Sequence, residues 1–431
     1  MARRRVHRYV PLPAATLALV LAATACNGGG DGGDGGGDTD SLQVWIMEGT
    51  NPDATEFFDD ANAAFTEETG IDVEVEFVPW ADAQDSISTA IAGGTFPDVV
   101  ELGTTFTPEY ADAGALHDLS GYIDDPSSYN QEMYEMGVID DAAYGVPWYA
   151  SIRSIIYRTD IFEEHGHDVP ENWDELRETA IDLAEAEEDM IAFPVPGDAQ
   201  YSVVPWIWGA GAEVAVEEED GTWTSTINSE EGRAGVEFFT GLSLEDDLST
   251  TGAVNWNEID VMESLSDEDA IMAISNSSNP MAILESNPDL EGRIGAFTLP
   301  GQESGYTDSF AGGSVLSVFE GSGNEEAGWQ YVEHLTDDEF STRWAEDTGF
   351  FPGGADEIAE YAASDDELVQ PFAVQLDEAG RGTPVTPAWG QVEAEGVLVG
   401  MQQDILNGNA TVEEATDNAA ETIENILNEG S

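Results

Sequence analysis

The sequence predicts an α/β protein of two lobes joined by strands that pass between them, and three stretches carry that expectation. The first is an alternation of strand and helix near the start. Leu42–Met47 (LQVWIM) reads as a strand, and Phe57, Ala61 and Phe65 recur every four residues on a helix that Gly70 stops. Val73–Val78 alternates apolar and acidic residues as a second strand, Asp82–Ala92 forms a helix closed by Gly93-Gly94, and Val99–Leu102 supplies a third strand. This order predicts a parallel sheet with right-handed crossovers. The second stretch is Tyr144–Asp160 (YGVPWYASIRSIIYRTD), a β-rich apolar run that leaves one lobe and enters the other. The third, Phe310–Gly313 followed by Val315–Phe319, reads as a return crossing.

The remaining elements follow in order. Asn172 with Glu175 opens a helix whose apolar face is Trp173, Leu176, Ala180 and Leu183. Tyr201–Trp208 (YSVVPWIW), taken as extended, puts Trp206 and Trp208 on one face. Ser229 caps a helix carrying Val236, Phe239 and Leu242, and Ala270–Ile274 is a strand running into the polar loop Ser275–Asn279. Ile294–Leu299 is another strand, and Trp329, Val332 and Leu335 mark a helix. Two helices end the chain, Val392–Leu406 and Val412–Leu427, the latter capped by Thr411 with Glu414. No internal repeat is present. With both crossings placed, one lobe takes 41–150 and 309–352 and the other 151–308 and 353–431.

Charge restricts the partners. Against 89 Asp and Glu stand 11 basic residues, every one of them Arg. Four of these (Arg3, Arg4, Arg5, Arg8) precede Cys26, where there is no acid, so a chain starting at Cys26 carries 89 acids and 7 Arg, a formal charge of −82. Such a surface repels nucleic acid and anionic lipid. Its self-repulsion is screened at about 1 M salt, where the Debye length is about 3 Å, which points to a high-salt environment. The 41% hydrophobic content, spread along the chain, is that of a folded globule rather than an acidic disordered one.

The first 26 residues read as a secretory leader: basic Arg3–Arg8, apolar Leu12–Ala25, then Ala23-Thr24-Ala25-Cys26 as a lipobox with Cys26 the lipidated residue. Gly28–Asp38 (GGGDGGDGGGD) is a flexible tether, so the expected location is the outer face of the cell membrane, held by a lipid anchor only. Cys26 is the sole cysteine, so no intramolecular disulfide can form.

Ligands of open α/β sheets sit beyond the carboxyl ends of the strands, which singles out Glu48, Trp80 and Thr104–Phe106. Aromatics at a lobe crossing, Trp148 and Tyr149, are cleft candidates, with ordinary core as the alternative. Trp45, Trp173 and Trp329 lie on periodic apolar faces and read as core. His165-Gly166-His167 lacks further ligands at metal-site spacing, and no Gly-rich phosphate cradle occurs. Neither a metal nor a cofactor is expected.

Phe65–Val75 (FTEETGIDVEV), Ala90–Asp98 (AIAGGTFPD), Gly114-Ala115-Leu116, Tyr144–Pro147, Tyr157–Phe162 (YRTDIF), Asn172–Leu176 and Phe310–Gly313 share an order and spacing with a known family. The chain resembles the extracellular solute-binding proteins of carbohydrate ABC importers, the maltose-binding type, over nearly all of residues 41–428. The resemblance implies a two-lobed periplasmic-binding-protein-like fold of type II, each lobe a mainly parallel sheet flanked by helices. It also implies a monomer that closes on a neutral sugar and docks on ABC permease transmembrane subunits without catalysing a reaction. Three departures stand out: Asn172 where Thr is usual, Arg158 where Asn is frequent, and Ser278-Asn279 where an aromatic is frequent.

Sugars present C–H faces and hydroxyls, which are met by aromatic rings and planar polar groups. The family pattern places Glu48, Thr105 and Phe106 from the first lobe at the ligand, with Trp148, Tyr149 and Arg153 from the crossing. From the second it places Tyr201, Trp206, Trp208, Asn276, Ser278, Asn279 and Trp389, while Gly312 and Gly313 admit backbone N–H groups. Arg153 has a second reading as an ion-pair partner among many acids, and Glu48 as a solvated carboxylate. Two rival functions are weighed: a secreted carbohydrate-active hydrolase, which needs two carboxylates at a set separation, and an ABC receptor for a non-sugar solute.

Overall fold

The computed structural model describes residues 39–49 and 54–429. The leader, Cys26, the tether up to Asp38 and Thr50-Asn51-Pro52 lie outside the described residues. Among those described, no helix is long and apolar enough to cross a membrane.

Seven strands place the site: β1 (Ser41–Glu48), β2 (Asp72–Pro79), β3 (Val99–Gly103), β4 (Val146–Arg158), β5 (Met272–Asn276), β6 (Ile294–Phe297) and β7 (Ser309–Val318). The expected parallel unit is present. β1 runs parallel to both β2 and β3, with Val44 opposite Val75 and Val99. Its helical crossovers are Thr55–Thr69, which buries Phe57, Phe58, Ala61 and Phe65 and ends at left-handed Gly70, and Trp80–Gly93.

β4 is shared between the lobes. From Val146 to Ile152 it pairs antiparallel with β7, and from Arg153 onward with β5 on one side and β6 on the other, starting at Arg153–Asn276. All of its residues are buried except Tyr157, which is half-buried. The second crossing is β7, antiparallel to both β4 and β3. Among these seven strands parallel pairing is confined to β2–β1–β3, β7 pairing parallel only with the short strand Gly380–Arg381, and in the second lobe β5 and β6 both run against β4.

Two local expectations change. Tyr201–Trp208 is not a strand: a single turn at Gln200–Ser202 leads into a helix, Val204–Gly209, with Pro205 in its first turn, where a missing N–H costs nothing. The single helix over Val392–Leu406 is two, Trp389–Ala394 and Val397–Leu406, broken at Gly396, whose φ of 61° is left-handed. The caps fall where the sequence puts them. Asn172 accepts from the Glu175 N–H, Ser229 from the Gly232 N–H, and Thr411 with Glu414 bond reciprocally.

The first lobe's core lies on both faces of its sheet, Phe58, Phe65, Trp148 and Trp344 on one and Ile87, Tyr110 and Phe319 on the other. The second lobe's core gathers Trp173, Trp206, Phe239 and Ile423, and a further cluster with Ile156, Phe351 and Phe372 packs along β4. Trp148 stacks on Trp344 at 4.5 Å between ring centroids, and Phe58 closes the group. Between the sheet's strands, fully buried Glu101 of β3 accepts hydrogen bonds from the Met47 N–H (2.8 Å), Ser314 Oγ (2.6 Å) and Tyr149 OH (3.0 Å), tying β1, β7 and β4 to β3. Burial pushes its pKa up to about 7, and these hydrogen bonds oppose the rise.

Trp344→Ala removes the partner of Trp148, and a fall of about 3–5 kcal/mol in unfolding free energy is expected from denaturant titration, as for other buried large-to-small changes; a loss under about 1 kcal/mol would contradict the packing. Because the Glu101 pKa is raised from 4.5 to about 7, its contribution is fully present below pH 4.5 and is lost as pH rises through 7. Relative to Glu101→Gln, the unaltered protein should lose on the order of 3 kcal/mol across that window; parallel stability curves for the two would refute it.

Candidate functional site

A cavity of about 520 Å³ opens at the lobe junction, beyond the carboxyl ends of β1 and β2. Its first-lobe wall comprises Gly49, Trp80 at the start of the helix after β2, and Thr348 and Phe350 after the helix Asp338–Thr348. Its floor is the crossing pair: Tyr149, Ser151 and Arg153 of β4, with Gly313 of β7. The second-lobe wall is Asn276 at the end of β5, Ser278, Asn279, and an apolar patch of Ile259, Met262, Met281 and Ala282. This patch comes from the helices Glu258–Ser266 and Asn279–Ser286.

Side chains alternate along a strand, which determines what the floor presents. Tyr149, Ser151 and Arg153 line the cavity, while Trp148, at an irregularity in the β4–β7 register, is 1% exposed and packs on Trp344, its ring 5.4 Å from that of Tyr149. The Tyr149 ring stacks on Phe350 at 4.5 Å and its hydroxyl is held by Glu101, so its orientation is set before any ligand arrives. Gly313 approaches the β4 backbone so closely that a Cβ there would lie 2.2 Å from the Tyr149 carbonyl oxygen. Only glycine permits the two crossings to pair at this point.

Arg153 lines the cavity and is ion-paired at the same time. Its guanidinium lines the cavity, and its Nε and Nη2 donate to Glu258 at 3.0–3.2 Å. The guanidinium lies over the Tyr201 and Phe310 rings, 5.1 and 4.9 Å from their centroids. Arg158, the other crossing arginine, is buried in a network with Asp160, Glu268 and Arg293 remote from the cavity lining.

The sixteen expected ligand residues fall into four groups. Trp80, Tyr149, Arg153, Asn276, Ser278, Asn279 and Gly313 line the cavity; Glu48 is exposed beside Gly49 at its edge, and Gly312 is buried in β7 opposite Ser151. A second group, Thr105, Phe106, Tyr201 and Trp389, gathers around Glu393 where the lobes touch. Tyr201 stacks on Phe310 at 3.7 Å, its hydroxyl and the Gln200 amide donate to Glu393, and Gly390 sits against Phe106 and Glu109. Burial raises the Glu393 pKa, with the Tyr201 and Thr105 hydroxyls opposing, and raises that of the Tyr201 phenol well above its usual value. Trp148 and Trp206 are not at the cleft: Trp206 is 0% exposed, edge-on to Trp173 at 5.2 Å. On a helix rather than a strand, Trp208 diverges from Trp206 and lies under Arg381, in a smaller hollow of about 220 Å³.

Sequence reasoning missed Ser151, Glu258, Ile259, Met262, Phe350 and Glu393. Ser151 carried a usable signal, since it alternates with Tyr149 and Arg153. The others reach the site only through tertiary packing of helix starts and ends. Among the described residues no group of three or more His, Cys, Asp or Glu is arranged to hold a metal ion, and His165 instead contacts Glu187 at 2.8 Å.

Residues 50–340 match the family model described as "Bacterial extracellular solute-binding protein". The diacetylchitobiose binding protein DasA of Streptomyces coelicolor is 26% identical over 392 residues, 87% of this chain and 88% of its own. Among solved structures, a solute binding protein of an ABC transporter from Thermotoga lettingae, bound with α-D-tagatose, superposes with a TM-score of 0.77 at 24% identity, covering 90% of this chain and all of that one. The sugar-binding protein MalE of Xanthomonas citri gives 0.78 at 22% identity, over 90% of this chain and 98% of that one. These likenesses establish the two-lobed periplasmic-binding-protein-like fold, and the family match covers most of the chain: it belongs to the bacterial extracellular solute-binding proteins.

Proposed function

We propose that this protein is the receptor of a carbohydrate ABC importer, capturing a neutral sugar or oligosaccharide in the junction cavity and delivering it to a membrane permease. The observation that carries the reading is the make-up of that cavity. Trp80, Tyr149 and Phe350 offer ring surface on one side, and Asn276, Ser278 and Asn279 offer amide and hydroxyl groups on the other. That pairing of apolar faces with directional hydrogen bonding suits a polyol ring. In this reading the lobes divide at 41–150 with 309–352 and 151–308 with 353–431, and β4 and β7 act as the hinge. Thr105, Phe106, Tyr201, Trp389 and Glu393 form the contact that closure makes and opening breaks. Relatives named as binding proteins for diacetylchitobiose and for galactooligosaccharide support a receptor over a hydrolase, and so does the locking of Glu258 in an ion pair.

Lipid attachment at Cys26 and a high-salt setting belong to the same proposal, supported by the leader pattern and by the 89 acidic residues.

Two outcomes test it. A thermal-shift screen of mono-, di- and oligosaccharides in about molar salt should find a stabilising sugar, since a ligand at 100 times its Kd adds about 2.7 kcal/mol. Trp80→Ala should then weaken that sugar roughly tenfold or more, about 1.4 kcal/mol, by calorimetry. Absence of any sugar response, or release of reducing ends during the screen, would overturn the receptor reading. Lowering salt from about 1 M to about 0.01 M stretches the Debye length from about 3 to 30 Å and should lower the melting temperature; a midpoint indifferent to salt would exclude the high-salt assignment.

A further inference from the structure

We infer that Glu258 sets the charge selectivity of the cleft: by occupying the guanidinium of Arg153, it denies anionic solutes the one cation that lines the cavity among the described residues. This rests on the carbohydrate reading and names the residue that restricts it to uncharged sugars.

The geometry holds each partner in place without help from a solute. Arg153 is 8% exposed, its carbonyl accepts from Ser309 Oγ at 2.7 Å, and its guanidinium is laid over two rings, so it has little freedom to swing away. Glu258 is the first residue of its helix, where the macrodipole favours a carboxylate. That helix start is fixed by a reciprocal capping box between Asn257 and Asp260. Three hydrogen bonds join the pair: Nε and Nη2 to Oε1, and Nη2 to Oε2. The planar fork that would receive a substrate carboxylate side-on is already filled by a protein carboxylate.

Charge bookkeeping over the lining points the same way. Among the described lining residues Arg153 is offset by Glu258, and Glu285 adds a further carboxylate, with Glu48 at the edge, so the excess is negative. A uronic acid entering beside Arg153 must either displace Glu258 or lie against it. A neutral sugar meets no such penalty. Because Arg153 is buried and Glu258 about two-thirds covered, molar salt screens the pair less than it screens the fully exposed surface acids.

Neutralising Glu258 should therefore do more than loosen a structural staple: it should expose a pre-oriented anion fork. The test compares the unaltered protein, Glu258→Gln, and the double variant Arg153→Met/Glu258→Gln, by calorimetry and melting temperature in about molar salt. The probes are D-glucose, D-galactose, maltose and cellobiose, each against the counterpart in which a C6 hydroxymethyl is a carboxylate. Glu258→Gln should shift the uronate-to-neutral affinity ratio at least tenfold toward the uronate, and the double variant should abolish that gain. Glu258→Ser gives a second readout if the Gln variant does not fold. A ratio unchanged in both single variants, a gain that survives in the double variant, or an unaltered protein that takes uronates as tightly as neutral sugars would overturn the inference while leaving the carbohydrate reading in place. No response of the unaltered protein to any sugar, neutral or acidic, would overturn both.

Discussion

The structure depends on one shared strand. The thirteen residues of β4 give their first half to pairing with β7 and their second half to pairing with β5 and β6, so the same backbone ladder holds both lobes. Because consecutive side chains alternate, that ladder also splits its residues between structure and site. Trp148, Ala150 and Ile152 enter cores, while Tyr149, Ser151 and Arg153 pave the cavity floor, Tyr149 also packing into the first lobe's core. A one-residue slip would exchange the two sets. The Glu101 hydrogen bonds to Tyr149 and Ser314, and the close passage at Gly313, hold the register where it is.

From this follows an economy in the site. No loop has to find the ligand unaided: Trp80 begins the helix after β2, Asn276 ends β5, and Glu258 begins a capped helix. Each is positioned by an element whose own stability comes from burial elsewhere. The floor is rigid through ring stacking and ion pairing. The two walls belong to different lobes, and in the proposed reading β4 and β7 are the hinge between them.

Much of this was legible in the residues. The strand–helix alternation, both crossings, the helix stops at Gly70 and Gly94, and the caps at Asn172, Ser229 and Thr411 are local signals, and the structure contains all of them. The errors have physical causes. YSVVPWIW is rich in β-formers, yet Pro205 in a first turn and burial of Trp206 against Trp173 favour a helix. The period-2 rule was applied to Trp206 and Trp208, where no strand exists, and Trp148 lies at an irregularity in the β4–β7 register that no local pattern announces. Glu258, Phe350 and Glu393 bring no spacing signal, because the partners that give them meaning lie far off in the chain, Arg153 105 residues from Glu258 and Gln200 193 from Glu393.

The central claim is that a sugar ring sits on the β4 floor between Trp80 and Asn276. A crystal structure of the protein with a stabilising sugar tests this most directly. The account predicts the sugar within contact distance, about 4 Å, of Trp80 or Tyr149 and hydrogen-bonded to Asn276 or Asn279. A sugar found instead in the hollow beside Trp208 and Arg381, with the junction cavity empty, would contradict it.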